Sequence, residues 1–370
     1  MQPLVLNKFN WKYSNPVQII SGINSLETLN ENVPAGKTLL ITTPGFTKRG
    51  LTERIVKIFA KHNLIVYDEV TPYPQLNDID IAAGELKPES FTGIIALGGG
   101  SVMDFGKILS LMLADDSVPT LDEVFRKKVQ VNWVHKIPLV VIPTTSGSGS
   151  EVTSFATIWD TVTSSKYSLA NELVYPNYAL LDPLLTISLP PEETLITALD
   201  CISHALESIW NKNRNPISEC LAISSLQYAL QALPDLLKQP DDVSLRLKMQ
   251  TASLLAGLAI SQTRTAIAHS ISYPLTLKLG IPHGLACSFT LNELINVYLT
   301  QKKENSFLIS LLKEIQELLL QLNLPHRIKS LAEAKNITAL LDEMYHVERA
   351  DNFVLPCDRN FISQILKRSL

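Results

Sequence analysis

The hydrophobic rhythm of the chain changes part-way along it. Between residues 37 and 142, short apolar runs alternate with amphipathic stretches. Thr38–Thr42, Leu64–Tyr67, Gly93–Leu97 and Leu139–Ile142 read as strands, and Lys48–His62 and Ser101–Ala114 as helices. Such strand–helix–strand repetition predicts a parallel sheet joined by right-handed crossovers. From about Pro190 the strand-like runs stop, and helical patterns follow at Glu192–Asn211, Ile217–Leu237, Val243–Ile260 and Phe307–Leu322. Gln301–Asn305 reads as a polar loop. Pro190-Pro191 followed by Glu192 and Glu193 suits a helix start, because proline fits the first turn and acids favour its positive end. The expectation is an α/β domain with a parallel sheet over residues 1–189 and an all-α domain over 190–370.

Composition narrows the class of function. A chain of 370 residues with 46% hydrophobic and 18% charged positions has the material for two cores, and a net charge of −4 offers no basic field for nucleic acid or an anionic membrane. Cys201, Cys220, Cys287 and Cys357 show no paired spacing, which points to a reducing, cytoplasmic setting. Met1–Lys12 lacks the pattern of a signal peptide, and no apolar run is long enough to span a membrane. Small-molecule chemistry is the expectation that remains.

Three segments carry candidate chemistry. Gly93–Leu97 runs through Gly98-Gly99-Gly100 into Ser101-Val-Met-Asp104, where bare backbone N–H groups at a helix start suit a pyrophosphate. Ser101 and Asp104 have capping-box spacing. The triplet is not a GxGxxG fingerprint, and by itself it fits a ligand-free strand-to-helix turn equally well. The second segment, Pro143-Thr144-Thr145-Ser146-Gly147-Ser148-Gly149-Ser150-Glu151, again follows a strand. Its hydroxyls and glycines suit phosphate, ribose or amide groups, although a solvated loop has the same composition.

The third segment sets Asp200 and His204 four residues apart, on one helical face, with His269 and His283 downstream. One carboxylate and three imidazoles suit Fe²⁺ or Zn²⁺, whereas Mg²⁺ and Ca²⁺ want more oxygen. Taken singly, Asp200 with His204 reads as a surface pair and each later histidine as a polar core or loop residue. His269 and His283 nevertheless sit among apolar and small residues, where an unpartnered imidazole is costly.

In this order the segments resemble the iron-containing (group III) alcohol dehydrogenases over nearly the whole chain. The likeness lies in Gly98–Asp104, in the Pro-Thr-Thr-x-Gly-x-x-x-Glu turn at Pro143–Glu151, in Asp200 with His204, and in Pro282-His283-Gly284. It implies a dinucleotide domain followed by a helical domain, the architecture shared with dehydroquinate synthase. It also implies metal ligation by Asp200, His204, His269 and His283. Gly99, Gly100, Ser101 and Asp104 match the pyrophosphate and nicotinamide side, and Thr144, Thr145, Ser148, Thr153 and Lys166 match further cofactor contacts. The implied reaction is hydride exchange between NAD or NADP and a small aldehyde or alcohol whose carbonyl the metal polarises. A homodimer is the family's expectation.

Two departures stand out. Tyr273 replaces a histidine that many members place four residues after His269, and it suits either proton donation or packing. The stretch Ile41-Thr42-Thr43-Pro44-Gly45 lacks the usual ribose-holding aspartate, while Lys48 and Arg49 follow, which leans towards NADP. Arg264, just before His269, suits an anionic substrate, and its surroundings resemble the branch that reduces phosphonoacetaldehyde to 2-hydroxyethylphosphonate. Pairing with a nearby carboxylate is the plainer role for that arginine. Three rivals stand beside this reading: a glycerol or glycerol-phosphate dehydrogenase, a dehydroquinate-synthase-like enzyme, and a non-catalytic binding protein on the same scaffold.

Overall fold

A computed structural model describes residues 10–59, 63–163 and 165–370. Its residues fall into two compact units. One holds Pro16–Pro190 with Gln239–Gln250, and the other holds the described residues 10–15, Pro191–Lys238 and Thr251–Leu370.

The first unit contains β1 (Gln18–Ser21), β2 (Lys37–Ile41), α1 (Pro44–Lys48), α2 (Leu51–Ile58), β3 (Asn63–Tyr67), α3 (Leu76–Leu86), β4 (Gly93–Gly98), α4 (Gly100–Met112), β5 (Leu139–Pro143), β6 (Phe155–Asp160), β7 (Ser165–Ala170) and β8 (Tyr178–Leu181). Six of the strands form a wholly parallel sheet in the order β1-β8-β5-β4-β2-β3. β4 and β5 are buried along their full length, which explains why both read as continuous apolar runs. Alternate residues Leu40, Ile95, Leu97, Val140, Ile142 and Leu180 build a core with Leu26, Leu29, Ile55 and Phe59. On α4, Gly106 comes so close to Ala96 that an added Cβ would lie 2.7 Å from it.

Three local readings need correction or extension. The helix expected over Lys48–His62 begins only at Leu51, because α1 ends at Lys48 and Gly50 takes a left-handed φ of 79° before α2. Residues 60–62 of that stretch lie outside the described residues. β6 and β7 form an antiparallel hairpin, and β1 and β8 complete one side of the sheet; neither pair was foreseen.

The second unit contains α5 (Pro191–Ile209), α6 (Pro216–Leu236), the latter part of α7 (Val243–Thr263), α8 (Ile267–Leu279), α9 (His283–Ser288), α10 (Leu291–Gln301), α11 (Ser306–Gln321), α12 (Leu324–Leu331), α13 (Ala334–Ala339), α14 (Val347–Ala350) and α15 (Arg359–Ser369). Among its described residues there is no strand, only an isolated bridge between Asn211 and Phe353. The start of α7 groups with the sheet. There the buried Arg246 donates from Nε to Pro240 O at 2.8 Å and from its terminal nitrogen to Leu189 O at 3.0 Å. No helix among the described residues is long and apolar enough to cross a membrane.

Candidate active site and metal centre

In the sheet unit, the glycine turn and the hydroxyl-rich turn pack against each other. A Cβ on Gly100 would lie 2.9 Å from Ser148 Cβ, so only bare backbone lets the first turn of α4 sit there. Thr144 N–H donates to Gly98 O at 3.0 Å. The expected capping box between Ser101 and Asp104 is not formed, and α4 starts without a side-chain cap. Ser101 Oγ instead accepts from Tyr73 N–H at 3.2 Å, while the Asp104 carboxylate accepts from Ser150 Oγ at 2.6 Å and Thr157 N–H at 2.8 Å.

Lys107 is the reason for this arrangement. Fully buried, its Nζ donates to Ser150 Oγ at 2.8 Å, Thr153 Oγ1 at 2.9 Å and Phe155 O at 3.0 Å, with Asp104 Oδ1 at 3.8 Å. A buried cation requires such a shell. Thr153 therefore faces the interior, and its hydroxyl is held by Lys107. Burial raises Asp104 above its usual range, partly offset by Lys107 and Ser150. Burial also lifts Glu151 to about 6. Ser148 Oγ accepts from Ser150 N–H at 3.3 Å, and Lys166 lies over the Trp159 ring, 5.2 Å from its centroid. Arg49 folds back over Phe46, 4.6 Å from that ring's centroid.

In the helical unit, one turn of α5 presents Asp200 and His204 together. His204 Nε2 stands 3.5 Å from Asp200 Oδ1, His269 Nε2 of α8 stands 3.4 Å from it, and His283 Nε2 of α9 stands 4.0 Å from it. The His204 and His269 rings stack at 4.7 Å, and the His283 ring meets His269 edge-on at 5.3 Å. Asp200, His269, His283 and Cys287 offer donor atoms that all lie within 4.8 Å of one another. This group shares three residues with the expected ligand set and replaces His204 with Cys287. His204 nonetheless keeps its contact with Asp200.

His269 is 2% exposed, and its Nε2 makes no hydrogen bond. Such an orphaned nitrogen, aimed at a carboxylate among other donors, fits a cation. Its other nitrogen, Nδ1, pairs with Glu207 Oε2 at 2.6 Å, while Glu207 Oε1 accepts from Ala268 N–H at 2.6 Å and His269 N–H at 3.1 Å. Glu207 thus closes the start of α8 and fixes the ring that α8 carries. Burial by itself would raise Asp200, yet the three imidazoles outweigh it and hold the carboxyl far below its usual range. Burial would depress His269, yet Glu207 and Asp200 push it up to about 10. Burial and the charge of Asp200 raise the Cys287 thiol well above its usual range.

Tyr273 lies one turn beyond His269. Its ring is 6.3 Å from that of His283 and nearly parallel to it, 6.4 Å from His269 and 6.0 Å from His346. Arg264 lies between α7 and α8 in a left-handed conformation with φ 65°. That shape costs about 1–2 kcal/mol for a residue with a Cβ. It is held by Arg264 N–H donating to Ile260 O at 2.9 Å and by Asn211 Nδ2 donating to Arg264 O at 3.1 Å.

Two family models cover most of the chain: iron-containing alcohol dehydrogenase over residues 16–183, and the C-terminal region of the Fe-containing alcohol dehydrogenase family over residues 194–352. The chain belongs to the iron-containing alcohol dehydrogenase family. Its relatives include a choline dehydrogenase of Bacillus subtilis, 30% identical over 285 residues, covering 75% of this chain and 70% of that protein. The 1-propanol dehydrogenase PduQ of Citrobacter freundii is 32% identical, covering 77% and 72%. The sulfoacetaldehyde reductase of Bilophila wadsworthia is 30% identical, covering 74% and 70%. Among solved structures, the sulfoacetaldehyde reductase of Bifidobacterium kashiwanohense in complex with NAD⁺ superposes with a TM-score of 0.84 at 25% identity, covering 98% of this chain and 99% of that one.

As a member of the iron-containing alcohol dehydrogenases the chain is an oxidoreductase, and its two-part architecture agrees with the resemblance drawn from its motifs. Three residues of this dehydrogenase's candidate site carried a readable signal that went unused. Glu207 lies three residues after His204, Lys107 three after Asp104, and Cys287 four after His283. Each is one helical turn from a residue already singled out.

Proposed function

We propose that the chain is a metal-dependent, NAD(P)-linked reductase of a small aldehyde, running in reverse as an alcohol dehydrogenase. The convergence of Asp200, His204, His269 and His283 around one carboxylate oxygen carries this reading. Asp200, His204, His269 and His283 would hold a divalent Fe²⁺ or Zn²⁺. Gly99, Gly100, Ser101, Asp104, Thr144, Thr145, Ser148, Thr153 and Lys166 would form or support the dinucleotide side, Thr153 by way of Lys107. When bound, the cation supplies a Lewis acid for the carbonyl oxygen and the nicotinamide supplies the hydride.

The chain's own residues do the rest. Glu207 accepts the Nδ1–H of His269 in a hydrogen bond, which fixes the ring and leaves Nε2 as the nitrogen that would give up its proton to bind a cation. Tyr273, whose ring centroid lies 6.4 Å from that of His269 and 6.3 Å from that of His283, would hand a proton to the nascent alkoxide. Arg264 supplies the positive charge for an anionic substrate group. That assignment rests on its place five residues before His269 and on relatives named for sulfoacetaldehyde, a two-carbon aldehyde bearing an anion. Phosphonoacetaldehyde, yielding 2-hydroxyethylphosphonate, is the substrate we favour. The missing aspartate after β2 supports NADP beside NAD. The four cysteines, which form no disulfide, support a cytoplasmic setting, and the family resemblance supports a homodimer, which light scattering would check.

The test is a turnover assay following cofactor absorbance, with NADH and NADPH, on phosphonoacetaldehyde, sulfoacetaldehyde, acetaldehyde and glycerol. Arg264→Ala should raise KM for the anionic aldehydes far more than for acetaldehyde; an equal rise for all would remove the anion clamp. Turnover of glycerol alone would favour the glycerol dehydrogenase reading. No turnover of any of these carbonyls, with no divalent ion bound, would count against the metal-dependent reductase.

A further inference from the structure

We propose that the Cys287 thiol is an additional ligand of the metal, making this a sulfur-bearing centre that prefers Zn²⁺ over Fe²⁺. The inference rests on the metal reading above and extends it to a residue that the carboxylate-and-imidazole set leaves out.

The geometry comes from two helices. α5 presents Asp200 and His204 one turn apart, and α9 presents His283 and Cys287 one turn apart, so each helix offers an i, i+4 pair to the same point. The two helices are locked together there. A Cβ on Gly284 would lie 1.8 Å from Ile196 O, and Ser203 Oγ donates to Cys287 O at 3.3 Å. Cys287 is fully buried, with its sulfur 3.5 Å from Asp200 Oδ1.

That separation can be set against a coordination sphere. With cation–sulfur near ~2.3 Å and cation–oxygen or cation–nitrogen near ~2.0 Å, a sulfur and an oxygen on one cation stand at most about 4.3 Å apart, and a nitrogen and an oxygen at most about 4 Å, whatever the number of ligands. From the Asp200 oxygen the Cys287 sulfur lies 3.5 Å away, and the Nε2 atoms of His269, His204 and His283 lie 3.4, 3.5 and 4.0 Å away, so all fall within those limits. The independent sign of a missing partner is His269 Nε2, buried and without a hydrogen bond in the same group. Ligation breaks the S–H bond, forms a sulfur–metal bond and releases one proton to solvent, with no change of oxidation state. A soft donor in an otherwise nitrogen and oxygen set moves preference towards Zn²⁺.

The experiment loads chelator-stripped full-length protein with Co²⁺ and records its optical spectrum. Visible ligand-field bands together with a near-ultraviolet thiolate-to-cobalt charge-transfer band are expected. Cys287→Ser should keep the first and lose the second. Its Zn²⁺ affinity, measured by competition with a chromophoric chelator, should fall by more than the roughly 10- to 100-fold that loss of an outer-shell partner costs, and its Fe²⁺ affinity should fall less. Ligand-field bands without the charge-transfer band in the native protein would overturn the Cys287 assignment and leave the metal site standing. The same holds if the band persists in Cys287→Ser. Absence of both bands would overturn the metal site as well. If the variant does not fold, X-ray absorption on the zinc-loaded native protein decides: a sulfur scatterer at about 2.3 Å supports the assignment, and a shell of nitrogen and oxygen alone refutes it.

Discussion

Glu207→Gln is the perturbation that most directly tests how the helical unit holds its centre. The native carboxylate is fully buried and accepts three bonds, from Ala268 N–H, His269 N–H and His269 Nδ1. Bonds to a charged acceptor contribute about 1.5–3 kcal/mol each and neutral ones about 0.5–1.5 kcal/mol. Neutralising the acceptor of three such bonds should therefore cost roughly 3 kcal/mol of stability. The second effect is chemical. The glutamine carbonyl can still accept from the two backbone amides, but its NH₂ then faces His269 Nδ1. That nitrogen must become an acceptor, which keeps the remaining ring proton on Nε2, the atom aimed at Asp200. Divalent metal affinity should drop on the order of 10- to 100-fold, or about 1.4–2.8 kcal/mol. Urea unfolding of the metal-free protein reads the first quantity and chelator competition the second. Native affinity in a folded Glu207→Gln protein would refute the orienting role, and an unchanged unfolding midpoint would refute the anchoring of α8.

Two further predictions follow from burial and close packing. The fold raises the Glu151 acid from 4.5 to about 6, so its ionisation opposes folding. That penalty is absent below about pH 4.5 and complete above about pH 6, where it amounts to about 2 kcal/mol; Glu151→Gln should be more stable than the native chain at pH 7.5 and lose that advantage at pH 4.5 in thermal melts, and a pH-independent difference would contradict it. Gly284→Ala would place its methyl against Ile196 O, driving α9 from α5 and carrying His283 and Cys287 out of register. Overpacking of this kind costs about 1–3 kcal/mol, and metal content after dialysis should fall with it; native stability and metal content together would show that the two helices have room to spare.

The alternation of strands and helices over residues 37–142, and the helical run after Pro190, were legible because full burial makes a strand a continuous apolar run while one-sided burial imposes a period of 3.6 on a helix. The same period placed Asp200 beside His204. Composition and motif order were enough to point to the family. β1 and β8, each only four residues long, carried too short a pattern to stand out, and the strands of the β6 and β7 hairpin were assigned no element.

What the linear chain determined, then, is local: which segments become strands or helices, and which side chains share a helical face. Only the tertiary structure decided which faces meet. The capping-box spacing of Ser101 and Asp104 lost to the buried charge of Lys107, whose shell comes from residues more than 40 positions away. Glu207 and His269 are 62 residues apart, and Asp200 and Cys287 are 87 apart. Hydrogen bonding and coordination act over a few ångströms whatever the separation along the chain, so such pairs leave no periodic trace in the sequence.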